Sequence, residues 1–163
     1  MNTLESTAET GKGSFSDLYT LLKPRVMWLA VFTAAVGIII APTQNSLFLS
    51  FIILLCISIG AGAAGVLNMW WDKELDNVME RTRGRPLPNE KISSDDAFVF
   101  GITLSIFSVM FLGLAANWLA AFLLAITIFF YLVVYSIFLK KTTPQNIVIG
   151  GAAGAMPPLI GWV

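Results

Sequence analysis

Two stretches of this chain, residues 26–71 and 97–139, contain no charged side chain. Runs of that length leave few folding options. A helix at a protein surface in water carries a polar face, and a half-exposed strand alternates apolar with polar residues. These runs do neither. They suit a bilayer, whose hydrocarbon core is crossed by about 20 apolar residues of helix. The rest of the composition agrees, with 163 residues that are 56% hydrophobic, 12% charged and of mean hydropathy +0.78. Pro42 and the neutral stretch 43–46 divide the first run into spans over residues 26–41 and 47–71. A second neutral turn divides the other run into spans over residues 97–116 and 119–139, and a further hydrophobic segment begins near Asn146 and continues to Val163. The expected fold class is all-α, a polytopic transmembrane helix bundle with about four complete spans and the start of a fifth.

Charge is balanced, with ten Lys and Arg against ten Asp and Glu, and no histidine. A neutral chain gives no electrostatic footprint for nucleic acid. Placement says more than total. More than half of the charges fall between Asp72 and Asp96. Lys12, Lys23 and Arg25 precede the first span; Lys73, Arg81, Arg83, Arg85 and Lys91 follow the second; Lys140 and Lys141 follow the fourth. The intervening turns are neutral, and this alternation predicts a cytoplasmic N-terminus and two cytoplasmic basic loops. Residues 1–22 read as a mobile cytoplasmic tail and 23–163 as the membrane domain. The tail has neither an apolar core segment nor an Arg-rich amphipathic pattern, so neither a secretory signal nor a transit peptide is supported. Cys56, the lone cysteine, lies inside the second span and reads as a small apolar side chain. No internal repeat is evident.

The chemistry concentrates where the second span ends. Asn68, Asp72 and Asp76 are spaced four apart, so on a helix they lie one above another on nearly one face. Such a row of hard oxygens suits Mg²⁺, which takes a few carboxylates together with substrate phosphate oxygens. Arg81, Arg83 and Arg85 follow within the next turns. Guanidinium groups grip phosphate oxygens two at a time, which makes them the complement of a diphosphate. Charges in a cytoplasmic loop are often merely solvated. Polar groups inside a membrane-contiguous helix are expensive and tend to be functional, and Asn68 and Asp72 are such groups.

Two sets of small residues are the candidate cavity lining. Gly60, Gly62 and Gly65 lie just before Asn68, and Gly150, Gly151 and Gly154 open the fifth span. Small residues allow close helix packing in lipid, and they equally leave room for a long apolar ligand. Trp70 and Trp71 fit either an interfacial aromatic belt or contact with substrate.

The seam from Asn68 to Asp76, followed by Arg81-Thr82-Arg83-Gly84-Arg85-Pro86-Leu87-Pro88, resembles the first signature of the intramembrane aromatic prenyltransferase (UbiA-type) superfamily. Together with the run from Thr143 through Gly150-Gly151 and Pro157-Pro158 to Trp162, it is similar to the branch that farnesylates haem, the protohaem IX farnesyltransferases. The resemblance extends over nearly all of residues 23–163. It implies a multi-pass protein of the bacterial inner membrane that moves a farnesyl group from farnesyl diphosphate to a vinyl group of haem b, giving haem O. Haem b is then substrate rather than cofactor, and Mg²⁺ bridges the diphosphate. Membrane lipid surrounds the protein, and haem A synthase or oxidase assembly proteins are candidate partners; no nucleic acid is implied. By the same resemblance Asp72 and Asp76 are catalytic, Asn68, Asp72 and Asp76 ligate the metal, and Arg81 and Arg85 clamp diphosphate, with Arg83 between the two matching positions. Lys140, joined by Lys141, closes the site from the second basic loop. Tyr135 lies at similar depth and serves equally well as an interfacial anchor. Lys23 and Arg25 either reach the diphosphate or simply orient the first helix.

Members of that family have about nine spans of this length, so the chain is expected to be a fragment carrying half of a site, with a second polar region and any histidine ligand to haem iron lying elsewhere. Three other readings stay open: transfer to a quinone precursor of the 4-hydroxybenzoate type, a transport segment with intramembrane carboxylates, and a non-catalytic assembly partner. The seam alone does not separate the first of these from haem farnesylation.

Overall fold

The computed structural model describes residues 13–43, 45–142 and 144–163, without the side chain of Lys141. Lys12, Thr143 and the first twelve residues of the expected tail therefore lie outside the described residues, as does any role for the Lys141 side chain. Every described element is a helix: α1 (Phe15–Leu21), α2 (Pro24–Ile40), α3 (Leu47–Trp71), α4 (Lys73–Val78), α5 (Ser94–Ala115), α6 (Trp118–Phe129), a π-helical continuation of α6 (Phe130–Leu139), the short α7 (Lys140–Thr142) and α8 (Asn146–Trp162). Three helical stretches are long and apolar enough to cross a membrane: Leu47–Trp71, Ser94–Ala115 and Trp118–Leu139. A fourth arises if α1 and α2, bent by 55° at their joint, count as one span.

Local chemistry sets the helix starts. Ser46, Ser93 and Asn117 cap α3, α5 and α6, their side-chain oxygens accepting from the amides of Leu49, Asp96 and Ala120 at 3.2, 3.0 and 2.7 Å. Each cap satisfies an amide that the first helical turn leaves unpaired. The third span consequently begins at Ser94 rather than Ala97, because Asp95 and Asp96 are favourable in a first turn, where the helix end is positive. The first span begins at Pro24 rather than at residue 26, with proline at a position that needs no N–H. The stretch expected as a tail also contains structure. Phe15–Leu21 is helical, and Leu21 is fully buried against Val66, Met69, Leu87, Ile92 and Ala97.

α3 is the central helix, packed by α2, α5, α6 and the π-helical segment, while α8 lies on α2 and α6. The main core joins Ala34 of α2, Ile53, Cys56, Ile57 and Ala64 of α3, Leu112 of α5, Leu124 of α6 and Ile160 of α8. Cys56 is part of that apolar core. α2 and α8 meet backbone to backbone. A methyl group added at Gly37 would fall 2.9 Å from the carbonyl carbon of Pro158, and one at Gly161 would fall 3.1 Å from that of Ala34. This contact is reciprocal, and glycine on both partners is what permits it.

Candidate active site

The polar seam does not lie on one continuous helix. α3 ends at Trp71, and Asp72, with φ −87° and ψ 4°, serves both as its C-cap and as the residue preceding α4. The four-residue register survives the break, because the Asp72 amide donates to the Asn68 carbonyl at 3.0 Å and the Asp76 amide to the Asp72 carbonyl at 2.8 Å. Asn68, Asp72 and Asp76 are all buried. The expected alignment holds and the expected unbroken helix does not.

Each member of the row meets a cation from a different part of the chain. Lys23 Nζ donates to Asn68 Oδ1 at 2.5 Å, Lys140 Nζ to Asp72 Oδ2 at 2.5 Å, and Arg85 Nη1 to Asp76 Oδ2 at 2.6 Å. The N-terminal joint, the arginine loop and the end of the π-helical segment therefore converge at one end of the bundle. Asn68 Nδ2 also donates to Asp72 Oδ2 at 3.0 Å and to Ser136 Oγ at 2.8 Å. Ser136 in turn donates to the carbonyl of Tyr131, five residues back, at 2.9 Å. A π-helix has i→i+5 pairing, and short π segments often mark functional positions. Here that winding sets Ser136 against Asn68 and Lys140 against Asp72, so two four-residue steps meet rung to rung.

The arginine loop is held by apolar anchors. Leu87 and Ile92 are buried against Leu21, Val66 and Met69. The Thr82 hydroxyl, also buried, donates to the Asp76 carbonyl at 3.1 Å. These contacts turn Arg85 inward, while Arg81 and Arg83 remain exposed. Lys23 occupies the joint between α1 and α2 in a left-handed conformation, φ 53°, which is strained for a residue with a side chain. Burial is the main reason its pKa falls to about 8; the nearby Arg85 and Lys140 charges lower it further, against the opposing pull of Asp76 and Asp72.

Next to the seam is an apolar cavity of about 250 Å³, and Lys23 is part of its wall. Both small-residue sets contribute, through Gly60 and Gly65 of α3 and Gly150, Gly151 and Gly154 of α8, with Tyr131 and Leu124 from the fourth span. The two readings of these glycines separate by position. Methyl groups at Gly151 or Gly154 would meet nothing within 4 Å, so there the missing side chains leave open space. A methyl at Gly150 would strike the ring of Tyr135, and one at Gly60 would come within 2.9 Å of Leu124, so those two serve packing.

Of the residues singled out from sequence, Asn68, Asp72, Asp76, Arg85 and Lys140 come together, and Lys23 joins them. Arg81, Arg83 and Arg25 are exposed outside this cluster, and Tyr135 stacks on Tyr131 at 5.3 Å between ring centroids. Trp70 packs on Phe98 at 4.6 Å and Trp71 is partly exposed. Ser136 and Thr82 received no role from sequence. The available signal for Ser136 was the one aliphatic hydroxyl in the run Phe130–Leu139, four residues before Lys140.

The donor set fits a hard divalent cation. Asp72 Oδ1 is the one buried side-chain oxygen without a hydrogen-bond partner among the described residues. Asn68 Oδ1 and the Asp76 carboxylate lie in the same row, supplying the oxygen ligands that Mg²⁺ prefers. Among the described residues no three His, Cys, Asp or Glu side chains are placed to hold a metal by themselves. Amide, water or substrate oxygens would complete the shell, as is usual for Mg²⁺.

An apolar helix bundle with a polar seam at one end is the arrangement of a polytopic membrane protein. The chain belongs to the UbiA prenyltransferase family, whose profile matches residues 30–163. It is 58% identical over 159 residues to the protoheme IX farnesyltransferase of Sinorhizobium fredii, covering 98% of this chain and 50% of that protein. Against the protein of the same name from Bartonella henselae it is 60% identical over 151 residues (93% and 48% of the two chains), and against that of Paracoccus denitrificans 59% over 162 residues (99% and 52%). The chain thus spans about half the length of the curated relatives it matches. No solved structure matches it.

Proposed function

We propose that this chain carries the diphosphate-binding part of a haem farnesyltransferase in the bacterial inner membrane, its N-terminus in the cytoplasm. The observation that carries the reading is Lys23, which lines the apolar cavity and also bonds to the Asn68–Asp72–Asp76 row. An amphiphile with an isoprenoid tail in the cavity would have its diphosphate at that row. The names of the relatives favour haem b as acceptor over a quinone precursor. A transport role would place the carboxylates near the bilayer midplane, whereas these lie where α3 ends, beside cations.

In the proposed reaction the allylic C–O bond breaks and diphosphate leaves with the electron pair. The haem vinyl carbon bonds to the allylic carbon, and water supplies hydroxyl to the adjacent carbon with release of a proton. Asn68, Asp72 and Asp76 would hold Mg²⁺, which when bound stabilises negative charge growing on the leaving group. Arg85 and Lys140 would orient the diphosphate oxygens, Arg85 with a planar fork and Lys140 as a point charge. Apolar walls around the cavity keep water from the allylic carbon until the vinyl group is engaged. The test is pigment analysis of membranes given haem b, farnesyl diphosphate and Mg²⁺, with the chain continued by the C-terminal half of the Paracoccus denitrificans relative. Haem O should form, and Asp72→Asn should lower its rate by roughly 10² or more while protein remains in the membrane, as for loss of a principal electrostatic stabiliser. Undiminished turnover in Asp72→Asn, or product from 4-hydroxybenzoate instead of haem, would overturn the assignment.

A further inference from the structure

Every oxygen row member that would face a metal already has a cation of the protein against it. Lys140 lies on Asp72, Arg85 on Asp76 and Lys23 on Asn68, at 2.5, 2.6 and 2.5 Å. The two carboxylates are almost wholly buried, with side-chain exposures of 1% for Asp72 and 4% for Asp76. Breaking such a pair by removing one partner leaves an uncompensated buried charge, which proteins tolerate poorly. A ligand that displaces the cations must therefore give them a new anion, and a ligand that attracts the cations must give the carboxylates a new cation.

We propose that Lys140 and Arg85 act as resident counter-ions which exclude a divalent cation until a diphosphate arrives to receive them, so that metal and diphosphate bind only as a pair. This rests on the diphosphate reading above. Charge balance supports it. Three cations against two carboxylates leave the cluster with one net positive charge. A divalent cation alone would raise that to three in a buried site. A diphosphate ester carries about three negative charges at neutral pH, so alone it would drive the cluster to about minus two. Arriving together they return it to near neutrality. Asp72 Oδ1, buried and without a partner among the described residues, is the point at which the metal gains a first ligand. The lysine and arginine then turn from carboxylate to phosphate oxygens without leaving the site. Coupling of this kind is reciprocal: whatever factor the metal adds to diphosphate affinity, diphosphate adds to metal affinity.

The experiment uses the chain in lipid nanodiscs, with Mn²⁺ titrated alone by the loss of its free paramagnetic signal, and radiolabelled inorganic pyrophosphate titrated at saturating Mg²⁺. The unsubstituted chain should bind Mn²⁺ alone weakly. Lys140→Met should bind Mn²⁺ alone about tenfold more tightly, and pyrophosphate with Mg²⁺ about tenfold more weakly, within the usual range of site coupling. Arg85→Met, whose side chain is 29% exposed, should move both values in the same directions. Lys91→Met should move neither. The double variant Lys140→Met with Asp72→Asn should lose the gain in Mn²⁺ binding. Unchanged or weaker Mn²⁺ binding in both single variants would overturn the proposal, as would a gain that persists in the double variant. Should pyrophosphate fail to bind even the unsubstituted chain while the Mn²⁺ gains appear, the diphosphate reading falls and the counter-ion block stands.

Discussion

Asn68 uses both N–H donors inside the protein, on Asp72 Oδ2 and Ser136 Oγ, and this fixes which way its amide faces. Its oxygen is then directed to Lys23 and the site. Ser136→Ala should leave one buried donor without an acceptor, at a cost of about 1–3 kcal/mol. The thermal midpoint in detergent should fall, whereas Ser136→Thr, which keeps the hydroxyl, should recover most of it; equal midpoints for the serine and alanine forms would remove Ser136 from the network. Arg85→Lys keeps the charge but loses the planar fork. We predict normal membrane levels with a lower kcat/KM for farnesyl diphosphate and little change for haem in the extended chain. Lys91→Ala should be nearly silent, since Lys91 is more than half exposed and its ion pair with Asp17 is long, at 3.6 Å. If Lys91→Ala proved as damaging as Arg85→Ala, loop charge would act only in bulk. The row Asn68, Asp72 and Asp76 was legible because periodic polar residues at the end of an apolar run have few other uses. Ser136 was not, because a lone serine in a span satisfies itself on its own backbone, and its contact with Asn68 depends on a partner 68 residues away.

Among the elements, helix extents were close to what hydropathy dictates: residues 47–71 and Leu47–Trp71 coincide, and 119–139 lies within Trp118–Leu139. The π-helical winding of Phe130–Leu139 was not legible. Its aromatic and β-branched residues suit an α-helix in lipid equally well, and the winding is linked to the bond from Ser136 to the Tyr131 carbonyl. The glycines illustrate the same limit, for identical residues on α8 serve opposite ends. Gly154→Leu projects into open cavity space, so the protein should insert normally while preference shifts from farnesyl toward the shorter geranyl diphosphate in the extended chain. Gly37→Leu would drive a side chain into the Pro158 backbone, so membrane levels should drop several-fold with no shift in chain-length preference. Unchanged chain-length preference in Gly154→Leu would detach the cavity from the isoprenoid tail.

At the scale of the whole molecule, three basic segments far apart in sequence meet at one end of the bundle, as their alternation with neutral turns anticipates. Reporter fusions follow directly. An alkaline phosphatase reporter placed after Lys91 should be inactive and one fused at Gln44 active, as expected for a cytoplasmic and a periplasmic position. Activity at Lys91 would invert the orientation of the site. That the basic segments gather at one end was legible because charge bias acts on each loop separately, whereas the pairing of α2 with α8 was not. Nothing in either segment identifies its partner; only their complementary surfaces do.

That pairing has a consequence for how the protein is made. α2 emerges from the ribosome long before α8, and its glycine-bearing side has no protein neighbour until Asn146–Trp162 is delivered into the membrane. Until then the groove at Gly37 and the cavity lack the wall that α8 supplies. The polar row begins to assemble earlier, since α3, α4 and the arginine loop are complete by Lys91. The charged end can therefore order before the apolar cavity gains the wall that α8 supplies.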